Sequence, residues 1–215
     1  MTSNDSGIGP TATAAGYVLA GGASSRFGFD KARAELGGQT MLARVCALVE
    51  EAAGSVTVVA PFGRYEHLGA ATINEPWPGQ GPLGGIIGAL MNAHKKNHRH
   101  TWSLIVGCDM PFLTHEWLSY LVERALASDA DIVVPQSEHG LEPLCACWHT
   151  GTTGKLQYAF EDGVRKVTEA MKRLRMEVLD ERHWKRFDSA GQLFWNMNTQ
   201  QDYEEALRIW RTEQT

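Results

Sequence analysis

Long apolar runs, a basic excess and regularly spaced cysteines are all missing from this 215-residue sequence. No stretch approaches the roughly 20 apolar residues that a helix needs to span a bilayer, so no membrane-embedded segment is expected. Lys and Arg number 20 against 25 Asp and Glu, a formal charge of −5. A dedicated nucleic-acid binder would carry a basic face, so nucleic acid is not an expected partner, whereas a small anion needs only a few local cations. The four cysteines, Cys46, Cys108, Cys145 and Cys147, show no disulfide framework and fit a reducing, cytoplasmic setting. Cys145 and Cys147 form a C-x-C pair that would share one face of a strand, and they read as two small buried hydrophobes.

Other absences narrow the chemistry. No GK[ST] triplet occurs, which rules out a Walker A loop. The eight histidines make no triad and no metal-ligand spacing, and the run HKKNHRH with His94, His98 and His100 reads as a solvated helix end. The opening MTSNDSGIGPTATAAG lacks a basic start and an apolar core, so it is not a secretory signal, and residues 1–15 are expected to form a disordered leader. Residues 16–215 carry no linker and no repeat, and are expected to form one domain.

What is present is an alternation of strand and helix signals. GYVLA (16–20), SVTVVAP (55–61), AATIN (70–74), TWSLIVGCD (101–109), ADIVVPQ (130–136) and EPLCACW (142–148) read as strands, most of them β-branched and buried. Between them, TMLARVCALVEEA (40–52) and LGGIIGALMNAHKK, with Pro82 at its start, have helical spacing. Thr114 is a candidate N-cap for a helix burying Trp117, Leu118, Leu121, Val122 and Leu126. VRKVTEAMKRLRMEVLD reads as a helix running into a strand, and Thr199 and Asp202 have capping-box spacing for a last helix. The pattern predicts an α/β fold: a single-domain three-layer αβα sandwich around a mostly parallel sheet. Ligands of such sheets bind beyond the carboxyl ends of the strands.

Three segments with chemistry fall at those ends. LAGGASSRFGFDK (19–31) brings Gly21, Gly22 and Gly28 into a loop whose backbone N–H groups can converge on an anion, with Arg26 as a bidentate fork and Lys31 as a point charge. A surface turn with solvated charges is the plainer alternative. GQGPLGG matches G-x-G-x-x-G through Gly79, Gly81 and Gly84, but Pro76, Pro78 and Pro82 detach it from its strand. It reads as a rigid wall beside a planar base rather than a dinucleotide fingerprint. LIVGCDMPFL delivers Asp109 at a strand end, where one carboxylate plus substrate phosphates suits Mg²⁺, although Asp before a Pro-containing turn is common. Near the C-terminus, FWNMNTQQD sets Asn196 and Asn198 two apart, so that an extended chain turns both amides to one side, while Asn also serves as an ordinary turn or cap residue.

In this order, LAGGASSRFGFDKA, PGQGPLGGIIGAL, CDMPFL and FWNMNT resemble the molybdenum cofactor guanylyltransferases, a branch of the Rossmann-like nucleotidyltransferases. The resemblance covers roughly residues 16 to 212. It implies transfer of GMP from GTP to molybdenum-loaded molybdopterin, with release of pyrophosphate. It further implies transient contact with molybdoenzymes or other cofactor-biosynthesis proteins. On this likeness Leu19, Ala20, Gly21, Gly22, Lys31, Asn74, Gly81 and Asp109 would bind the nucleotide. Arg26, Lys31 and Asp109 would act in the transfer, Asp109 would hold Mg²⁺, and Asn196 and Asn198 would lie on the pterin side.

Two positions depart from the family pattern. The Asp that commonly precedes G-P-L and helps to recognise GTP is absent, with Asn74 and Glu75 nearest to its place, and Ala60 stands where the second strand can end in Asn. Asn74 offers a neutral carbonyl, whereas Glu75 would need a different reach. The chemistry agrees with the assignment, because a phosphate monoester acceptor has a second pKa of about 6 and needs no strong base at neutral pH. In-line positioning and charge neutralisation remain to be supplied. Transfer of CMP or another nucleotide to the same or a different phosphate, and a non-catalytic nucleotide- or pterin-binding role, are the rival readings.

Overall fold

The computed structural model describes residues 13–21, 30–65, 70–95, 100–188 and 190–213. In chain order the strands are β1 (Thr13–Leu19), β2 (Glu35–Leu36), β3 (Gln39–Thr40), β4 (Val56–Ala60), β5 (Thr72–Asn74), β6 (His100–Gly107), β7 (Ile132–Ser137), β8 (Gly140–Leu141), β9 (Cys145–His149) and β10 (Met176–Leu179). The helices are α1 (Met41–Ala53), α2 (Pro82–Lys95), α3 (His115–Leu126), α4 (Thr153–Glu161), α5 (Val167–Met171), α6 (Glu181–Trp184) and α7 (Gln200–Glu213). Among the described residues, no helix is long and apolar enough to cross a membrane.

The main sheet runs β10-β7-β9-β6-β1-β4-β5, with β8 paired to β7. β1 is parallel to both β4 and β6, and β5 and β10 are parallel to their neighbours. β9 is inserted antiparallel between β6 and β7. The reason lies in its connection: β7 turns back directly through β8 into β9, with no crossover helix to restore direction.

Side-chain alternation along the strands divides the core in two. Val18, Leu104 and Val106 face the side covered by α1, α3 and α7, while Tyr17, Ile105 and Trp148 face α2, α4 and α5. The result is the expected three-layer sandwich. Gly16 lets α1 lie against β1, since a Cβ there would stand 2.3 Å from the Ser55 carbonyl oxygen and 2.5 Å from a Val49 methyl.

Side chains cap the helices, at Thr114 and at the Thr199–Asp202 box as expected and at Thr40 in addition. Thr40 Oγ1 accepts from the Ala43 N–H at 3.2 Å and Thr114 Oγ1 from the Trp117 N–H at 3.2 Å. At α7 the box closes in both directions, with the Asp202 N–H on Thr199 Oγ1 at 3.1 Å and the Thr199 N–H on Asp202 Oδ2 at 2.8 Å.

Two expectations are corrected, one helix is added and another is shortened. β1 begins at Thr13, inside the expected leader, and Ala14 and Ala15 are buried. Leu126 is 40% exposed, because α3 ends there and Ala125 takes the inward place. α4 was hidden in a stretch rich in Thr and Gly. The helix after Val164 is confined to Val167–Met171. The chain must straighten there, because the Arg175 N–H bonds Asp131 Oδ2 at 3.0 Å and the Asp131 N–H bonds the Arg175 carbonyl at 2.8 Å as β10 enters the sheet.

Candidate active site

The ends of β4, β1 and β6 lie side by side, and backbone bonds continue the register past them. The Ala20 N–H reaches the Val59 carbonyl at 2.9 Å and the Cys108 N–H reaches the Leu19 carbonyl at 3.2 Å. A cavity of about 320 Å³ opens there, the size of a small-molecule site. Leu19, Ala20 and Gly21 line it from the end of β1, Gly79, Gly81 and Pro82 from the start of α2, and Lys31, Asp109 and Leu144 complete the lining. Gly79 and Gly81 have φ of 77° and 88°, which lets the backbone turn tightly into α2.

Asp109 follows β6 by two residues and folds back over Gly107, with Oδ1 2.9 Å from where a Gly107 Cβ would be. Burial raises its carboxyl above the ordinary range, while the Lys31 ammonium opposes that rise. Lys31 Nζ stands 3.6 Å from Asp109 Oδ2 and donates to Asn198 Oδ1 at 2.9 Å. The Met197 N–H donates to the Asp109 carbonyl at 2.8 Å, so the segment entering α7 is stitched to the strand end.

The two asparagines therefore part company. Asn198 meets Lys31, whereas Asn196 donates to the Phe194 carbonyl at 3.1 Å, and neither lines the cavity itself. Asn74 ends β5 exposed and does not line the cavity, whereas the next residue, Glu75, does. The Glu75 N–H continues the ladder to the Ala60 carbonyl at 2.9 Å, which fixes the side to which its side chain turns.

Glu75 is 8% exposed and its Oε2 has no hydrogen-bond partner among the described residues. It presses on Gly21, where a Cβ would stand 2.4 Å from Oε2. Burial raises its pKa. A buried carboxylate without a donor is costly, so this group is built to receive one.

Gly22 and Arg26 lie outside the described residues. Asp30 and Tyr65 also line the cavity, and neither was singled out from the sequence. For Asp30 a signal existed, since it directly precedes Lys31 as the cap of a turn. For Tyr65 there was none, because it arrives through space from the loop after β4. Cys145 and Cys147 are fully buried, with burial pushing the Cys145 thiol up to about 12, so the C-x-C pair is inert core. Among the described residues, no group of three or more His, Cys, Asp or Glu side chains is gathered for a metal.

Comparison with known proteins agrees with this geometry. The molybdenum cofactor guanylyltransferase of Desulfosudis oleivorans is 30% identical over 194 residues, which span 89% of this chain and 93% of that protein. The probable molybdenum cofactor guanylyltransferase of Bacillus cereus (strain Q1) is 29% identical over 200 residues, 90% of this chain and 96% of that one. The crystal structure of molybdopterin-guanine dinucleotide biosynthesis protein A from Archaeoglobus fulgidus superposes with a TM-score of 0.79 at 25% identity, covering 92% of this chain and 99% of that one. Residues 16–176 match the MobA-like NTP transferase domain, and the chain belongs to that family.

Proposed function

We propose that this protein transfers GMP from GTP to molybdenum-loaded molybdopterin, giving the guanine dinucleotide form of the cofactor and pyrophosphate. The observation that carries the base specificity is the buried Glu75 in the nucleotide cavity, whose Oε2 has no hydrogen-bond partner among the described residues. Guanine presents two adjacent donors, the ring N1–H and the 2-amino group, which a carboxylate can accept together. Cytosine and adenine pair one amino donor with a ring acceptor that a carboxylate repels, and uracil offers a single N–H. A site built around such an acceptor rejects bases that leave it unpaired.

Asp109 suits Mg²⁺: a mostly buried carboxylate, 24% exposed, lines the cavity and, among the described residues, is not gathered with two further His, Cys, Asp or Glu side chains, so the remaining ligands would be phosphate oxygens and water. Bound there, the ion would neutralise charge on the phosphates and align them. The chain's own groups do the rest. Lys31, held by Asn198, offsets charge that develops on the departing pyrophosphate, and the glycine wall admits the phosphates close to backbone. An oxygen of the acceptor's phosphate, already largely ionised near neutral pH, forms a bond to the α-phosphorus. The bond from that phosphorus to the bridging oxygen breaks, and its electron pair leaves with pyrophosphate. No protein base is required. Asn196 and Asn198 stand on the acceptor's side in this reading, and the reaction belongs to the cytoplasm.

The test is pyrophosphate release by purified protein with Mg²⁺ and molybdenum-loaded molybdopterin, comparing GTP, CTP, ATP and UTP. Release with GTP alone supports the reading. Equal release with CTP removes the specificity, and silence with all four removes the activity.

A further inference from the structure

Asp30 lines the nucleotide cavity next to Lys31. A carboxylate is a poor neighbour for a triphosphate unless its charge is taken up elsewhere, and here it is. The Tyr65 hydroxyl stands 2.8 Å from Oδ1 and 2.9 Å from Oδ2. Arg64 Nε donates to Oδ2 at 3.3 Å, and Arg33 Nε pairs with the same oxygen at 3.5 Å. Oδ1 also accepts from the Ala32 N–H at 3.1 Å, which caps the short turn Lys31–Arg33 that carries the lysine. Tyr65 is 1% exposed. Burial first, and then its bond to Asp30, push its phenol well above the ordinary range, so it stays a donor.

We infer that Tyr65 is a positioning residue for the transfer: by holding Asp30, it fixes the turn that presents Lys31 to the nucleotide's phosphates. The inference rests on the guanylyltransferase reading of the site. It separates two roles that the pair Asp30–Lys31 would otherwise blur. Lys31 touches the substrate, and Asp30 orients the turn and has its own charge absorbed by Tyr65, Arg64 and Arg33. Small displacements of a charged group in a preorganised site cost rate more than affinity, because the contact matters most where charge develops.

The experiment is a double-mutant cycle on the full chain, read as pyrophosphate release with GTP, Mg²⁺ and molybdenum-loaded molybdopterin. Tyr65→Phe removes only the hydroxyl and is expected to lower kcat about 10-fold with KM for GTP within about 2-fold. In a Lys31→Ala background the same change is expected to alter kcat less than about 2-fold, because the residue it serves is gone. Equal losses in the two backgrounds would mean a merely structural tyrosine and overturn the inference, as would an unchanged kcat for Tyr65→Phe alone. Should a thermal melt show Tyr65→Phe unfolded, the cycle of Asp30→Ala with Lys31→Ala asks the same question from the other end of the bond, and additivity there is equally fatal. Lys31→Ala turning over like wild type would instead strike the reading of the site itself, a result visible without any Tyr65 variant.

Discussion

Lys31 and Asn198, 167 positions apart, are joined by a 2.9 Å hydrogen bond from ammonium to amide oxygen. The bond closes the site from both ends of the chain. Lys31 comes from the turn after the glycine loop, and Asn198 from the entry to α7, where Asp202 Oδ2 holds the Asn198 N–H at 2.7 Å. The cap of the last helix thereby sets the position of a charge beside the first strand.

Asn198→Ala should lower turnover about 10-fold, against 10²-fold or more for Lys31→Ala or Asp109→Ala, since removing a support costs less than removing the charge contact itself. Steady-state kinetics on folded variants check the order. Equal losses for Asn198→Ala and Lys31→Ala would mean that Asn198 contacts substrate directly.

Glu75→Gln should raise stability while lowering activity. For Glu75 the folded-state pKa lies above the unfolded one, so folding favours the protonated form. Its contribution to stability is fully present below the unfolded pKa and is lost as pH rises through the folded value. The variant should therefore melt a few degrees above wild type at pH 7–8, with the gap closing towards about pH 4. In the same variant kcat/KM for GTP should fall 10-fold or more, with weaker discrimination against the other nucleotides. In wild type, GTP binding should weaken on acidification through the raised pKa, as the acceptor becomes a protonated acid. A pH series of calorimetric titrations reads this directly.

The sheet was legible because its strands are β-branched and almost wholly buried, as in SVTVVAP and TWSLIVGCD, and because helical spacing separates most of them. Direction was not legible in β9, since CACWH carries the same burial pattern whichever way it runs. At the site, glycines, Lys31 and Asp109 declare themselves by type and place. The step from Asn74 to Glu75 did not, because one residue along an extended chain turns a side chain from solvent to cavity, and only the pairing with Ala60 fixes which is which. Tyr65 meets Asp30 solely through the folding of a loop, and no local pattern marks it.

Asp131 should act on stability alone, at the opposite end of the sheet's strands from the cavity. Burial opposes its ionisation, but the Arg175 N–H, the Lys155 ammonium at 2.9 Å and the Arg175 guanidinium outweigh it and hold the carboxyl at about 2. A lowered folded pKa gives stability that is present above the unfolded value and is lost as pH falls towards about 2. Asp131→Asn should melt several degrees below wild type at pH 7, with the difference shrinking below pH 4 and turnover at permissive temperature unchanged. A turnover loss without a melting shift would contradict this.

Gly21→Ala isolates the base-reading carboxylate without altering it. A Cβ at this position would stand 2.4 Å from Glu75 Oε2, closer than any real contact, and the group that must yield is the end of a flexible side chain. Stability should therefore change little, by no more than a few degrees in Tm. The displaced carboxylate should meet guanine poorly, raising KM for GTP several-fold and narrowing the gap between GTP and CTP, while Lys31 and Asp109 keep their places. In a Glu75→Gln background the added methyl should have much less effect on that gap, because the two residues act through one contact. Undiminished discrimination by Gly21→Ala would show that Oε2 does not read the base.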